Sequence, residues 1–191
     1  MYILHFDGLF RGISSRPFTT SKAGIMCYGW LIVEHDIIIA RGHGAFARGV
    51  DATSNVAEYL ALIEGLEALK DLGIQSEPVK VCGDAKCVID QMRGAASVNA
   101  ASMKPMFRRA QRLAKNFPNL YWFWLPRSYN KAADSLTRQA MRQVRRDKKT
   151  YNAAIRAIGS ENRSNSNSYK FLPLMDLRVY QPSFPQAERT G

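Results

Sequence analysis

The apolar positions near the start of the chain come in short runs that are typical of β-strands. Residues 2–6 form an apolar stretch that ends at Asp7 and Gly8, which predicts a strand running into a turn. Residues 24–33 and 37–40 are rich in branched and aromatic side chains and are separated by three polar residues, as in a β-hairpin. Three successive strands with such connections predict an antiparallel meander.

From residue 55 onward the apolar positions recur every three or four residues, which is the period of a helix. The pattern continues to residue 72 and ends at Gly73, a residue that favours helix termination. At its start, Asn55 and Glu58 have the spacing of a helix-capping box. The sequence therefore predicts a helix directly after the meander.

Shorter elements alternate in the next part of the chain. The pattern predicts, in order, strand 79–82, helix 84–92, helix 104–115, strand 120–125 and helix 130–146. A mixed sheet with helices packed on its faces accommodates this order. We therefore expect an α/β fold.

The composition changes beyond residue 149. Residues 159–168, GSENRSNSNS, have the composition of a flexible linker, and an apolar and aromatic segment broken by prolines follows. We predict a domain of residues 1–149 and a C-terminal extension of residues 150–191. The apolar segment of the extension either folds back over the domain or acts as a short peptide that binds a protein partner.

The net charge of +11 is concentrated in one part of the chain. Residues 104–149 contain 13 lysines and arginines but only two acidic residues, and this difference equals the whole net charge. A positive field confined to one region is typical of nucleic-acid binding. The alternative is a pair of cationic helices that are merely solvated.

The remaining composition indicates a reducing compartment and no membrane. The three cysteines, Cys27, Cys82 and Cys87, lack a paired spacing, so we expect reduced thiols and a cytoplasmic location. The first residues, MYILHFDG, predict no secretory leader. No apolar stretch has the length of a membrane span.

Four carboxylates, Asp7, Glu58, Asp84 and Asp134, fall where a predicted strand ends or a predicted helix begins. Each has an ordinary explanation when taken alone. Asp7 suits a turn before glycine, Glu58 a capping box, and Asp84 a helix N-cap. Asp134 could simply complement the dipole of its helix.

Taken together, the four acids predict a metal site in a basic protein. Segments of this kind converge on one rim of an α/β sheet, where ligands commonly bind. Carboxylate oxygens suit Mg²⁺ or Mn²⁺, and such a cluster is costly without cations because like charges raise one another's pKa. Two such ions, roughly 3.5–4 Å apart, can promote in-line phosphoryl displacement.

Four segments of the chain resemble, in order and spacing, the motifs of type 1 ribonuclease H. They are HFDG, TSNVAEYLALIEGLEAL, VCGDAKCVIDQMRG and LPRSYNKAADSLTRQA, and together they extend from about Tyr2 to Met141. The resemblance implies the ribonuclease H-like fold, a five-stranded mixed sheet with three antiparallel strands first, flanked by helices. It also implies Mg²⁺-dependent endonucleolytic cleavage of the RNA strand of RNA–DNA hybrids.

The resemblance also implies roles for individual residues. Asp7, Glu58, Asp84 and Asp134 match the catalytic, metal-binding carboxylates of the family. Candidate contacts to the hybrid are Gly8, Thr53, Ser54, Asn55, Lys86 and Arg127, with further arginines in residues 104–115. Asn55 is a candidate reader of the RNA 2′-hydroxyl, although a purely capping role is an equal alternative.

The chain departs from the family pattern in three places. The stretch before Asp134 lacks the histidine that some members carry, and Arg127 is its nearest charged residue. Ala85 stands where serine is common, and the loop after Asp7 is longer than usual. Together with the absence of a basic insertion, these features resemble a compact version of the family.

The aromatic residues Trp122, Phe123 and Trp124 have two interpretations. They could stack on nucleic-acid bases, or they could be buried on both faces of a central strand. We favour burial, because a hybrid duplex offers no unstacked bases.

Two other functions remain as alternatives to hybrid cleavage. One is a nuclease of the same fold that acts on DNA. The other is a nucleic-acid-binding subunit whose acidic cluster has lost its chemistry and whose tail recruits a partner.

Overall fold

The computed structural model describes residues 1–13, 23–161 and 171–181, and the elements below belong to these residues. The strands are β1 (Tyr2–Gly12), β2 (Gly24–Glu34), β3 (Ile37–Arg48), β4 (Val79–Gly83), β5 (Leu120–Trp124) and β6 (Leu172–Tyr180). The helices are α1 (Ser54–Asp71), α2 (Lys86–Met92), α3 (Lys104–Ala114), α4 (Lys131–Arg146) and α5 (Lys148–Glu161).

The six strands form one mixed sheet in the order β5-β4-β1-β2-β3-β6. β1, β2 and β3 pair antiparallel, whereas β4 pairs parallel with both β1 and β5. The predicted α/β fold, with three antiparallel strands first, is confirmed. The sheet differs from the expected one by a sixth strand, β6, which pairs antiparallel with the outer side of β3.

Helices cover the two faces of the sheet unequally. α1, α2 and α3 share one core with the inward side chains of β1, β2 and β4. On the opposite face, α4 packs across β1, β2 and β3, and α5 packs on β3 and β6. α4 approaches closely at Gly29, where a Cβ atom would lie 2.7 Å from that of Leu136.

Two of the predicted boundaries were wrong, one at the end of β1 and one after α4. β1 does not end at Asp7, because its pairing with β2 continues to Gly12. The helix of residues 130–146 is followed by α5, which extends into the start of the predicted linker. The rest of that linker, and most of the loop after β1, lie outside the described residues.

The interpretation of β5 as a buried central strand was also wrong. β5 is the last strand on its side of the sheet and pairs only with β4 among the described strands. Its side chains Tyr121, Phe123 and Trp124 are 54%, 39% and 44% exposed. The periodicity identified the strand correctly but could not give its place in the sheet.

The apolar tail segment lies on the domain as β6. Tyr28 in β2 donates a hydrogen bond of 2.7 Å from its hydroxyl to Asp176. Arg178 forms an ion pair of 2.6 Å with Glu64 in α1. A protein partner for the tail and the division of the chain at residue 149 stay predictions. Within the described residues, no helix is both long enough and apolar enough to cross a membrane.

Candidate active site

The end of the parallel pairing between β1 and β4 brings two acidic residues side by side. The pairing register ends at Phe6 and Gly83. The next residue on each strand is an aspartate, Asp7 on β1 and Asp84 just beyond β4. Because parallel neighbours at the same register leave the sheet together, this rim is where their carboxylates meet.

Glu58 reaches the same rim from helix α1. The helix begins after Thr53, whose hydroxyl accepts a hydrogen bond of 3.2 Å from the amide of Val56. The predicted capping box at Asn55 was therefore wrong, and Glu58 is free to point at the sheet. Gly8 allows this approach, because a Cβ atom there would collide with the backbone of Ala57 and Glu58.

The three carboxylates form a tight cluster. Oxygens of Asp7, Glu58 and Asp84 all lie within 4.8 Å of one another. Asp7 and Glu58 are buried, at 2% and 8% exposure, and Asp84 is partly exposed. Asp84 does not cap α2, since the N-cap position is Ala85 and makes no side-chain bond.

Burial and mutual repulsion raise the pKa values of the two buried acids. Burial is the larger cause for Asp7, the charge of Asp84 adds to it, and together they raise the pKa of Asp7 to about 6. Burial, followed by the charges of Asp7 and Asp84, raises the pKa of Glu58 well above its usual range. The amide of Gly8 opposes this shift.

The cluster fits a divalent cation. Glu58 Oε2 is buried and has no hydrogen-bond partner among the described residues. A buried carboxylate oxygen without a partner is costly, and a cation would remove both this cost and the repulsion within the cluster. Hard oxygen donors of this kind suit Mg²⁺ or Mn²⁺.

Two residues that the sequence analysis missed position the aspartates. Thr137 in α4 donates a hydrogen bond of 3.0 Å from its hydroxyl to Asp7 Oδ2. The buried Asn130 donates from Nδ2 to the carbonyl of Phe6 at 2.8 Å and to Asp84 Oδ1 at 3.2 Å. Asn130 is the N-cap residue of α4 and Thr137 lies in its second turn, but no local sequence pattern identifies either as a partner of the aspartates.

The carboxylate of Asp134 lies outside this cluster of three. It accepts hydrogen bonds from Arg127 at 2.7 Å and from Arg138 at 2.6 Å. The bond from Arg138 is the largest cause that lowers the pKa of Asp134. Asp134 is nevertheless close to the site, because its backbone carbonyl accepts from the same Thr137 hydroxyl that binds Asp7.

The predicted nucleic-acid contacts belong to the segments that carry the acidic residues. Thr53, Ser54 and Asn55 lie together at the start of α1, and Ser54 is exposed. Lys86 begins α2 and pairs with Asp90 at 2.5 Å. Arg127 lies in a short 3₁₀ turn before α4. The roles of these residues remain predictions.

A model of a protein family described as reverse transcriptase-like matches residues 19–140, which is more than half of the chain. The RNase H1 of Halobacterium salinarum, whose crystal structure is known, is 32% identical, with a TM-score of 0.62 over 74% of this chain and 98% of that one. This chain belongs to the type 1 ribonuclease H family.

Other members of the ribonuclease H family are also similar to this chain. The crystal structure of LC11-RNase H1 in complex with an RNA/DNA hybrid is 26% identical, with a TM-score of 0.63 over 75% of this chain and 99% of that one. The bifunctional protein Rv2228c of Mycobacterium tuberculosis is 33% identical over 73% of this chain. This match spans only 35% of the length of the mycobacterial protein.

Proposed function

We propose that this protein is an endoribonuclease that hydrolyses the RNA strand of RNA–DNA hybrids with Mg²⁺ or Mn²⁺ as cofactor. The observation that carries the proposal is the meeting of Asp7, Glu58 and Asp84 within 4.8 Å. Membership of the ribonuclease H family supports the reaction type. The complex of LC11-RNase H1 with an RNA/DNA hybrid supports the substrate.

Asp7, Glu58 and Asp84 would hold the metal, with Asp134 as a fourth carboxylate nearby. When bound, the divalent cation supplies activation of water and neutralisation of charge at the scissile phosphate. Thr137 and Asn130 hold the carboxylates of Asp7 and Asp84 in place, as partners of metal ligands commonly do. The ionised forms of these acids are the ones that bind a cation.

Arg127 links the substrate to the fourth carboxylate in this proposal. The Arg127 side chain is 65% exposed, although its guanidinium bonds Asp134. A phosphate bound by Arg127 would compete with Asp134 for the same guanidinium. Substrate binding would then loosen one of the two arginine contacts that hold Asp134 beside the cluster.

The start of α1 would read the RNA strand. Asn55 and the backbone near Gly8 and Glu58 are adjacent to the carboxylates, where a 2′-hydroxyl offers both a donor and an acceptor. Thr53, Ser54 and Lys86 would contact the backbone phosphates. Such phosphate contacts orient the duplex but carry no information about base sequence.

The test uses three end-labelled duplexes of one sequence: an RNA–DNA hybrid, a double-stranded RNA and a double-stranded DNA. With Mg²⁺ the protein should cut only the RNA strand of the hybrid, and EDTA should abolish the cleavage. Asp84→Asn should retain hybrid binding but lose cleavage at least about a hundredfold. The matched control is Asp36→Asn, an exposed aspartate in the turn between β2 and β3, which should cleave normally.

The same assay separates the alternatives. Cleavage of the DNA duplex alone would favour a DNA nuclease of the same fold. Hybrid binding without cleavage in any divalent metal would favour a binding subunit. Normal cleavage by Asp84→Asn would remove the acidic cluster from the mechanism.

A further inference from the structure

Within the described residues, one face of the sheet is uncovered at β4 and β5, on the side where α4 and α5 pack. Among the described helices, α4 covers β1 to β3 and α5 covers β3 and β6, and neither packs extensively on β4 or β5. Leu120 and Trp122 of β5 point to the other face and contact the core beneath α1. Tyr121 and Phe123 alternate with them, so their rings lie on the uncovered face.

Exposed aromatic residues are concentrated in β5 and the turn that follows it. Of the five exposed aromatic side chains in the described part of the chain, four belong to residues 121–129. Tyr121 is 54% exposed and Phe123 is 39% exposed. Solvent-exposed aromatic rings on an otherwise well-packed sheet indicate an interaction surface.

Positive charge accompanies the rings. Lys80 of β4 lies on the same face, and its Nζ is 5.5 Å from the centroid of the Phe123 ring. β5 also lies within residues 104–149, the segment that carries the net charge of the chain. Of the two acids in that segment, Asp134 is neutralised by Arg127 and Arg138.

The aromatic edge is joined to the candidate active site. Trp124 Nε1 donates a hydrogen bond of 3.1 Å to the carbonyl of Asp84. Phe123 pairs with Cys82, two residues before Asp84. A single-stranded nucleic acid bound on this face would therefore extend to the carboxylate cluster.

We propose that Tyr121, Phe123 and Lys80 form a platform that binds an unpaired RNA or DNA strand next to the active site. Alternate residues on a strand are about 7 Å apart, so each ring can stack on one base. The lysine would contact the phosphate backbone. A paired hybrid cannot use the platform, because its bases are already stacked.

The edge of β5 argues against pairing with a second copy of the chain. Arg93 donates from Nε to the carbonyl of Trp122 at 3.0 Å, and its Nη2 bonds the same oxygen. A charged side chain that occupies a strand edge hinders the addition of another strand. The face of β5, and not its edge, is the accessible surface.

The test measures binding to the whole protein in EDTA, so that it does not depend on cleavage. Fluorescein-labelled 12-nucleotide oligo(U) and oligo(dT) are compared, by anisotropy, with a blunt hybrid of the same length. Tyr121→Ala/Phe123→Ala should weaken binding of the single strands about tenfold or more and leave hybrid binding unchanged. The salt dependence of single-strand binding is the slope of the logarithm of the binding constant against the logarithm of the salt concentration. Lys80→Gln should reduce the magnitude of this slope by about one.

Two further double variants control for apolar area and for folding. Tyr121→Leu/Phe123→Leu keeps apolar side chains suited to a strand but removes the rings, and it should also lose binding. Leu177→Ala/Val179→Ala removes two exposed apolar side chains from the opposite edge strand and should bind like wild type. Thermal melts check that all variants fold.

Three outcomes would overturn the platform. The first is wild-type protein that does not bind the single strands. The second is undiminished binding by the alanine pair. The third is full binding by the leucine pair, which would indicate an apolar surface for a protein partner. None of these outcomes bears on the cleavage of hybrids.

Discussion

The hydroxyl of Thr137 in α4 donates a hydrogen bond of 3.0 Å to the carboxylate of Asp7 in β1, across 130 residues of sequence. This bond opposes the rise in the pKa of Asp7 that burial and Asp84 cause. The same hydroxyl lies 2.8 Å from the carbonyl of Asp134, so its single proton is shared between that carbonyl and Asp7. Thr137 is therefore a positioning residue for Asp7.

Replacing Thr137 by valine keeps its shape and removes this hydrogen bond. Without the bond, the ionised form of Asp7 is less favoured and its pKa rises further. We expect the metal affinity to fall about tenfold and the acidic limb of the pH–rate profile to move to higher pH. Thr137→Ser, which keeps the hydroxyl, should behave like wild type. A valine variant with unaltered metal dependence and pH profile would show that the bond has no such role.

Asp7 makes the metal-free protein less stable as the pH rises. Its pKa is about 6 in the folded protein, above the ordinary value of 3.8 for an aspartate, so between these values the folded state binds more protons than the unfolded state. The free energy of unfolding should therefore fall from about pH 4 to pH 6, by about 3 kcal/mol at most from this group. Urea denaturation in EDTA at a series of pH values measures this free energy of unfolding.

Two comparisons isolate the contribution of Asp7. Asp7→Asn should flatten the fall in stability over this pH range. Saturating Mg²⁺ should restore about 2.7 kcal/mol to the wild type at pH 7 when its concentration is a hundred times the dissociation constant. In EDTA, the wild type and Asp7→Asn should differ in how their stability changes from pH 4 to pH 6. If both gain the same stability over this range, the raised pKa assigned to Asp7 is contradicted.

Gly8 should not tolerate a side chain. A Cβ atom at this position would collide with the backbone of α1 at Ala57 and Glu58. Gly8→Ala should therefore lower the free energy of unfolding by about 1–3 kcal/mol and displace Glu58 from the cluster, which reduces cleavage. Gly12→Ala in the same strand is the control, because among the described residues its Cβ would meet only the Phe10 ring, at 3.6 Å. Equal effects of the two substitutions would refute the packing argument.

Arg178 fastens β6 to α1 through a partly buried ion pair. Its guanidinium lies 2.6 Å from Glu64, and burial, which Arg178 only partly offsets, raises the pKa of Glu64 to about 7. Arg178→Met should cost about 2 kcal/mol at pH 8, where Glu64 is left buried and charged. The loss should be smaller at pH 6, because Glu64 can then hold a proton.

A double variant tests whether the cost comes from the unpaired charge. Glu64→Gln/Arg178→Met should recover most of the stability lost by Arg178→Met. If the single and double variants are equally unstable at both pH values, the ion pair is not the cause. Chemical denaturation at the two pH values provides the measurement.

The sequence predicted what local patterns and strand boundaries determine. Asp7 and Asp84 could be placed together because each follows an apolar strand, even though β1 continues past Asp7 to Gly12. Glu58 could be placed at the start of a helix that follows the meander. The acidic cluster could therefore be predicted from the sequence.

Contacts between segments distant in the sequence could not be predicted. Nothing local to Thr137 or Asn130 shows that it bonds Asp7 or Asp84. The order of strands is also a long-range property, so the aromatic pattern of β5 gave no sign that this strand lies at an edge. β6 was missed because Pro173 interrupts its pattern, and the sheet accommodates this proline at a register shift beside Phe46.

The most direct test of the candidate site is a crystal of the protein soaked in Mn²⁺ and measured for anomalous scattering. We predict at least one strong peak about 2–2.3 Å from carboxylate oxygens of Asp7, Glu58 and Asp84, and its loss in Asp84→Asn crystals. Ordered carboxylates with no peak between them at saturating Mn²⁺ would contradict the metal site and, with it, the proposed nuclease.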